Sequence, residues 1–254
     1  MGRRATVMLV LVGLSAGTLS GATLATFTSS RSNLNNSFAA ASSFGIEFVK
    51  HIGAAACGGA STAITVPAGG VAAGNTLLLR VSIHNVSTGT ISATDSRSNT
   101  YTLDADGVFP TKGRMAIVSA NVGTALQSGD TITVTHPDSK SEAVVIDEFS
   151  GIASSGRVDA TGTGGDKSTT PSATATTTTA NTLLLGGVWH RNNPAFTQAT
   201  GWSDLTFQGT DPGCEMSRNR GGYRIVSSTG TYSYNPTIGG AEEWAAAVVA
   251  YKAA

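Results

Sequence analysis

The 254-residue sequence predicts an all-β fold, a jelly-roll-like two-sheet β-sandwich built from an internal duplication. Three observations predict it. Lys and Glu are scarce while Thr and Val dominate many stretches, which disfavours helix and favours strand. From Ile46 onward short β-like runs alternate with Gly, Asn, Asp or Pro at intervals of about 8 to 14 residues, the rhythm of a sandwich or barrel and not of βαβ units. The whole series of runs then occurs a second time, in the same order.

In the first half, strands are expected at "AITVP" (63–67), closed by Pro67, and at "TLLLRVSIH" (76–84), opened by the turn signal Gly74-Asn75. "TYTLDA" (100–105) lies between Asn99 and Gly107, "RMAIVSANV" (114–122) between Gly113 and Gly123, and "DTITVTH" (130–136) between Gly129 and Pro137. "EAVVIDEFSG" (142–151) ends the half at a glycine. In the second half "SATATTTT" (172–179) answers the first of these and "NTLLLGGVWH" (181–190) answers "NTLLLRVSIH". "GWSDLTFQG" (201–209), "YRIVSS" (223–228), "GTYSYNP" (230–236) and "WAAAVVAY" (244–251) complete the second series. The alanine-rich last segment has helical composition, but its counterpart at 142–149 makes it a strand. A period near a hundred residues is too long for a solenoid.

A duplicated series fits two architectures. Either each half is a small sandwich joined through 153–180, or the halves combine into one jelly roll, which is the preferred arrangement. Two features favour it: Cys57 and Cys214 lie in different halves, and 153–180 carries β-like residues without a charge run or Pro-rich spacing. The halves are placed at about 60–152 and 168–254, within a sandwich at 57–254.

The amino terminus stands apart. "MGRR" is positively charged, "ATVMLVLVGLSAGTL" is an apolar run shorter than a membrane span needs, and small residues follow. This reads as a secretory signal peptide over 1–25, with cleavage after Ala22 or Ala25 and an uncleaved anchor as the alternative, so that contact with a membrane is expected only before cleavage. In an exported chain the two cysteines are most simply one disulfide, Cys57 to Cys214, with two buried thiols as the alternative. Residues 26–56 form an N-terminal arm whose last part, "FGIEFV", alternates like a strand able to pair with a sheet edge, its own or a neighbour's.

Candidate chemistry is sparse. The formal net charge is zero and 13% of residues are charged, which gives no basis for nucleic-acid binding. Strand alternation puts Leu77, Leu79, Val81 and Ile83 on one face with His84 on the other, and Leu183, Leu185, Gly187 and Trp189 opposite His190. Both histidines are therefore expected at the exposed ends of core strands. Asp147 and Glu148 are adjacent, face opposite ways, and cannot serve together as a glycosidase pair; whichever lies on the apolar face needs a hydrogen-bond partner. Asp104 to Gly107, "DADG", reads as a plain turn. No nucleophile elbow, phosphate-binding glycine loop or His-Glu-x-x-His occurs, so neither enzyme activity nor a metal or other cofactor is expected. One recognition surface is expected, on two loops of the second half: Arg191, Asn192 and Asn193 in the first, Arg218, Asn219, Arg220 and Tyr223 in the second.

Two resemblances add to this reading. "GATLATFTSSRSNLNNSFAA", with Phe27, Asn35 or Asn36, Phe38 and Ala39, resembles the leader of the TasA and camelysin class, with Thr-Ser-Ser where an acidic residue is common and Ala-Ala where Ala-Gly is expected. That likeness implies export to the surface or matrix, and with it fibre formation. The Gly74 to Leu79 strand, "NTYTL", "DEFSGI" (147–152), "TGW" (200–202) and "WAAAVVAY" resemble duplicated β-sandwich modules of bacterial surface and phage-tail proteins, which implies a fold and an extracellular setting without a reaction. The expected function is a non-catalytic extracellular structural or adhesion module, secreted or on the cell surface, that meets itself or surface glycans and proteins. A lectin-like carbohydrate-binding module is the alternative, and a glycan-active enzyme a more distant one.

Overall fold

Among the described residues the first half forms eight strands: β1 (Glu47–Ala56), β2 (Gly59–Thr65), β3 (Thr76–His84), β4 (Ser92–Asp95), β5 (Thr102–Phe109), β6 (Gly113–Asn121), β7 (Thr131–Ser139) and β8 (Glu142–Ser150). The computed structural model describes residues 45–254 apart from 57–58, 111, 140, 193 and 210–216. Cys57 and Cys214, and with them the expected disulfide, lie outside the described residues, as do the signal segment and residues 26–44 of the arm. Pairing is antiparallel and nested: β1 with β8, β2 with β7, β3 with β6. Two sheets result, ordered β1-β8-β3-β6-β5 and β2-β7-β4, which is the jelly-roll arrangement with β5 turned onto the larger sheet.

The second half supplies β9 (Val158–Ser168), β10 (Ala173–Thr177), β11 (Thr182–Arg191), β12 (Phe196–Thr197), β13 (Ser203–Asp204), β14 (Gln208–Gly209), β15 (Ser217–Val226), β16 (Gly230–Tyr234), β17 (Thr237–Ile238) and β18 (Glu242–Lys252). Its larger sheet runs β13-β15-β11-β18-β9, and β10-β16 and β12-β17 stand where β2-β7-β4 stands in the first half. The run expected at 201–209 is two short pieces, while the one expected at 223–228 begins at Ser217. Asp104 and Asp106, expected in a turn, stand in β5. The stretch weighed as a linker, 153–180, provides β9 and β10.

Three apolar clusters order these sheets into layers. Leu77, Leu79, Val81 and Ile83 of β3 meet Ile64, Ile132 and Val134 of the smaller first sheet. Leu184, Val188, Ala246 and Val248 meet Ala173, Ala175 and Tyr234 in the second half. Between them Leu78, Met115, Ile117 and Phe149 face Leu183, Leu185, Trp189, Ala247 and Val249. The two larger sheets thus pack face to face, and every residue of β3 and all of Thr182–His190 are buried. The preferred single sandwich, in which the halves pool their strands, gives way to one sandwich in each half within a single compact unit. The two central strands show the consequence: β3 and β11 are buried on both faces, so each larger sheet has two covers.

The repeated "NTLLL" is not in phase with this arrangement. Leu77 and Leu79 point into the first sandwich, whereas Leu183 and Leu185 point at the seam between sandwiches. A one-residue offset in a strand exchanges its faces, and that offset separates the sequence echo from the structural match.

Small residues let the sheets approach closely. A Cβ on Gly107 of β5 would fall 2.0 Å from the Ala246 carbonyl oxygen, and one on Gly165 of β9 would fall 2.3 Å from that of Val108. Backbone here meets backbone, a position only glycine fills. Gly107→Val is therefore expected to cost about 1–3 kcal/mol in denaturant unfolding. Wild-type stability in that variant would refute the close approach.

Candidate functional site

Arg80 is the largest polar side chain that the fold buries completely. β3 carries it on the face turned to the second half, and it is 0% exposed. Its Nη2 donates to Asp147 Oδ2 at 3.4 Å and to the Thr206 carbonyl at 2.9 Å; its Nη1 donates to Asn219 Oδ1 at 3.3 Å. Asn219 returns two bonds through Nδ2, to the carbonyls of Arg80 and Ala143, each at 2.9 Å. Asp147 Oδ1 lies 3.0 Å from His51 Nδ1 at the half-buried rim. One glycine of the facing sheet makes room for the guanidinium: a Cβ on Gly221 would sit 2.0 Å from Arg80 Nη1, while one on Gly187 would sit 2.7 Å from the neighbouring Met115 Sδ.

Four of the expected recognition residues belong to β15 and not to a loop, which corrects their assignment. Strand alternation divides them. Asn219 and Tyr223 face the seam, the first wholly buried and the second packed between Phe48 and Phe149 with ring centroids 6.0 and 5.4 Å away. Arg218 and Arg220 face the opposite way. The Arg220 guanidinium lies 3.8 Å from the Phe207 ring centroid and 4.9 Å from that of Phe196, a cation–π sandwich on a half-buried side chain. Arg218 Nε donates to the Asn192 carbonyl at 3.1 Å. Asn192 donates to Glu242 at 2.8 Å, and Arg191 pairs with Glu243 at 3.8 Å. Asn193 lies outside the described residues.

The two histidines do not meet, and neither is exposed. His84, 1% exposed, turns to the seam and stacks on Trp189 at 5.7 Å. His190 turns into the second sandwich and stacks on Phe196 at 6.4 Å, so the larger second sheet stands between them. The expectation of exposed strand ends fails because both sheet faces are covered there. The acids separate as alternation requires. Asp147 joins Arg80 at the seam, while Glu148 turns into the first sandwich and accepts from Asn75 Nδ2 at 2.6 Å and from the Ala72 amide at 3.2 Å. A third constellation lies in the first interior. The Thr62 hydroxyl donates to Glu142 at 3.0 Å and lies 3.4 Å from His136 Nε2, and all three residues are buried.

An open polar cleft was missed in the sequence. About 360 Å³ in volume, it is lined by Ser98, Asn99, Thr102, Asn121, Thr124 and Arg157, and a second depression of about 210 Å³ adjoins it across Thr102 and Arg157. Asp95 fixes one wall, accepting from the Asn99 amide, Asn99 Nδ2 and Tyr101 OH at 3.2, 2.9 and 3.0 Å. Arg157 is held by Ser119, through Nε to Oγ at 2.8 Å and Nη2 to the carbonyl at 3.1 Å. The Tyr251 hydroxyl donates to Asp104 at 2.7 Å, and Ser119 Oγ donates to the same carboxylate. Burial pushes the Asp104 carboxyl above its usual range and the Tyr251 phenol well above its own. The cleft draws on β5, β6 and the crossing between halves, places that no local motif joins.

Comparison with protein-family models, curated proteins and solved structures finds no match to this chain.

Two outcomes follow for the buried charges. Asp147→Asn leaves the guanidinium without its counter-charge and should cost about 3–5 kcal/mol, whereas Arg80→Met combined with Asp147→Leu should recover most of it. Simple addition of the two single losses in the double variant would show that the pair is uncoupled. For His190, burial lowers the imidazole pKa from 6.5 to about 4. Between those values the unfolded chain binds the proton and the folded one does not, so stability falls as pH drops through that window. Wild type should lose about 2–3 kcal/mol more than His190→Phe between pH 7 and pH 4, measured by urea unfolding. Parallel pH profiles would sink this assignment.

Proposed function

We propose that this chain is a non-catalytic extracellular module, a structural or adhesion element of a cell surface or matrix. The observation that carries the reading is where the polar chemistry sits. Arg80, Asp147 and Asn219 lock two sandwiches together, Glu148 and Glu142 are enclosed in the first of them, and Arg220 is clamped between two rings. The outward faces of the smaller sheets are hydroxyl surfaces: Thr174 pairs with Ser233 at 2.8 Å and Thr176 with Thr231 at 3.0 Å. The signal-like amino terminus and the shared strand order of the two larger sheets support export and the duplication read from the sequence. Partners are further copies of the chain or surface glycans and proteins.

The lectin-like alternative has one observation in its favour, the cleft around Arg157. Fixed amide, hydroxyl and guanidinium groups suit the hydroxyls of a saccharide. Arg218 and Arg220 support it less, being engaged with Asn192 and with the Phe pair.

Purified mature chain is expected to assemble into fibres or sheets visible by electron microscopy, and to lose assembly without melting earlier when residues 26–44 are deleted. A monomer at every concentration, together with saturable glycan-array signal that disappears in Arg157→Ala, would replace the matrix reading by the lectin-like one.

A further inference from the structure

One buried carboxylate in the first sandwich holds an amine and a carboxamide on its two oxygens. Glu148 of β8 lies between β1 and β3: its Cα partners are Lys50 on one side and Leu77 on the other. Asn75, two residues before Leu77, shares that face. Glu148 Oε1 accepts from Asn75 Nδ2 at 2.6 Å, and Oε2, which has no hydrogen bond, faces Lys50 Nζ at 3.6 Å. The carboxylate is 1% exposed, while the lysine side chain is 31% exposed and also donates to the Gly70 carbonyl. β1 shifts register on each side of Lys50 and His51, between Phe48 and Lys50 and again between His51 and Gly53. Bulges re-aim side chains, and these two bracket the residues that reach the buried acids Glu148 and Asp147.

We propose that Lys50 and Asn75 become joined by a side-chain amide bond, formed within the folded chain with Glu148 carrying the protons. Glu148 takes a proton from the Lys50 ammonium, which frees the Nζ lone pair. That pair attacks Asn75 Cγ, and the flexible four-carbon stem of lysine lets Nζ swing from the Gly70 carbonyl onto the amide held beside the same carboxylate. The Cγ–Nδ2 bond then breaks with its electrons passing to Nδ2. Glu148 returns the proton to that nitrogen, which departs as ammonia, and the freed carboxylate takes the second proton from Nζ and passes it to the ammonia, which leaves as ammonium. One amide replaces another, nothing is oxidised or reduced, and no co-reactant is needed. Enclosure favours the step by keeping water from the carboxylate and holding the reacting groups in place.

The bond would tie β1, the edge strand through which the arm enters, across β8 to the start of β3. Tension applied at the arm would then reach the sheet interior through covalent bonds and not through the β1–β8 hydrogen bonds alone. The chemistry does not rest on the matrix reading, since mass reports the bond whether or not the chain assembles.

The test is the intact mass of the full mature chain after reduction, followed by tryptic digestion. Expected are a mass lower by one ammonia and a branched peptide that joins Lys50 to Asn75, with trypsin unable to cut after Lys50. Lys50→Arg, Asn75→Ala and Glu148→Gln should each restore the full sequence mass and abolish the branched peptide. Lys50→Arg keeps the charge at a half-exposed position, so it remains informative if Glu148→Gln does not fold. Full mass in the wild type, or an ammonia deficit that persists in Lys50→Arg, overturns the proposal.

Discussion

The face-to-face contact of the two five-strand orders is the constraint on which the rest of the structure depends. A sheet in a sandwich normally buries one face and shows the other to water, which gives its strands an apolar–polar alternation. Here β3, β6, β8, β11 and β18 are buried almost from end to end. Such strands need a second cover, and the corresponding sheet of the other half provides it. Fully burying each aliphatic side chain contributes about 1.5–3 kcal/mol, so the Leu78, Met115, Ile117, Leu183, Leu185 and Val249 contacts hold the halves together without a shared strand.

A dry seam of that kind would be indifferent to register, since apolar surfaces slide past one another at little cost. The buried guanidinium removes the indifference. Arg80 finds its partners only where Gly221 leaves space and where Asn219 and the Thr206 carbonyl stand opposite it. A displaced seam would leave a charge buried without partners, which costs several kcal/mol. The ion pair therefore contributes less to the net stability of the fold than to the choice of one alignment over its neighbours. Trp189 repeats the logic with shape: Gly113 on the facing sheet opens the space for its indole, beside the His84 ring.

Strand content was legible because composition and punctuation act locally. Thr, Val and the Gly-Asn turns specify an extended chain wherever they occur, and "TLLLRVSIH" and "WAAAVVAY" are strands as read. What covers a strand is not local information. His84 and His190 look like polar ends to a reader who counts one apolar face, and they are buried because a whole second sheet, distant in sequence, lies on the other. Arg218 to Tyr223 read as a loop because arginine, asparagine and two glycines are turn-like in composition; Gly221 leaves room for the Arg80 side chain, Gly222 for Gln198 and the Ser203 carbonyl, and the residues around them are a central strand. The "NTLLL" echo misled for a related reason, since identity of letters says nothing about which face each letter occupies.

The seam also decides which surfaces are left to solvent. With one face of each larger sheet in the seam and the other over a small sheet, the free surface is left to the outward faces of the small sheets, the rims and the cleft. The outward faces alternate over Ser61–Thr65 and along β10, with Ser61, Ala63 and Thr65 exposed on β2 and Thr174 and Thr176 exposed on β10. They present short hydroxyl and methyl groups with almost no charge, which is where the low charge content of the sequence becomes physical. Surfaces of this kind lose little side-chain entropy and little hydration of ions when covered, so they suit broad, shallow contact with a polymer or with another copy. Selective binding of a small ligand needs convergent, fixed polar groups, and those are gathered in the cleft beside Arg157, where Asp95 and Ser119 hold the donors in position. Broad charge-poor surface and convergent polar groups thus lie on different parts of one molecule, by which faces the seam leaves uncovered.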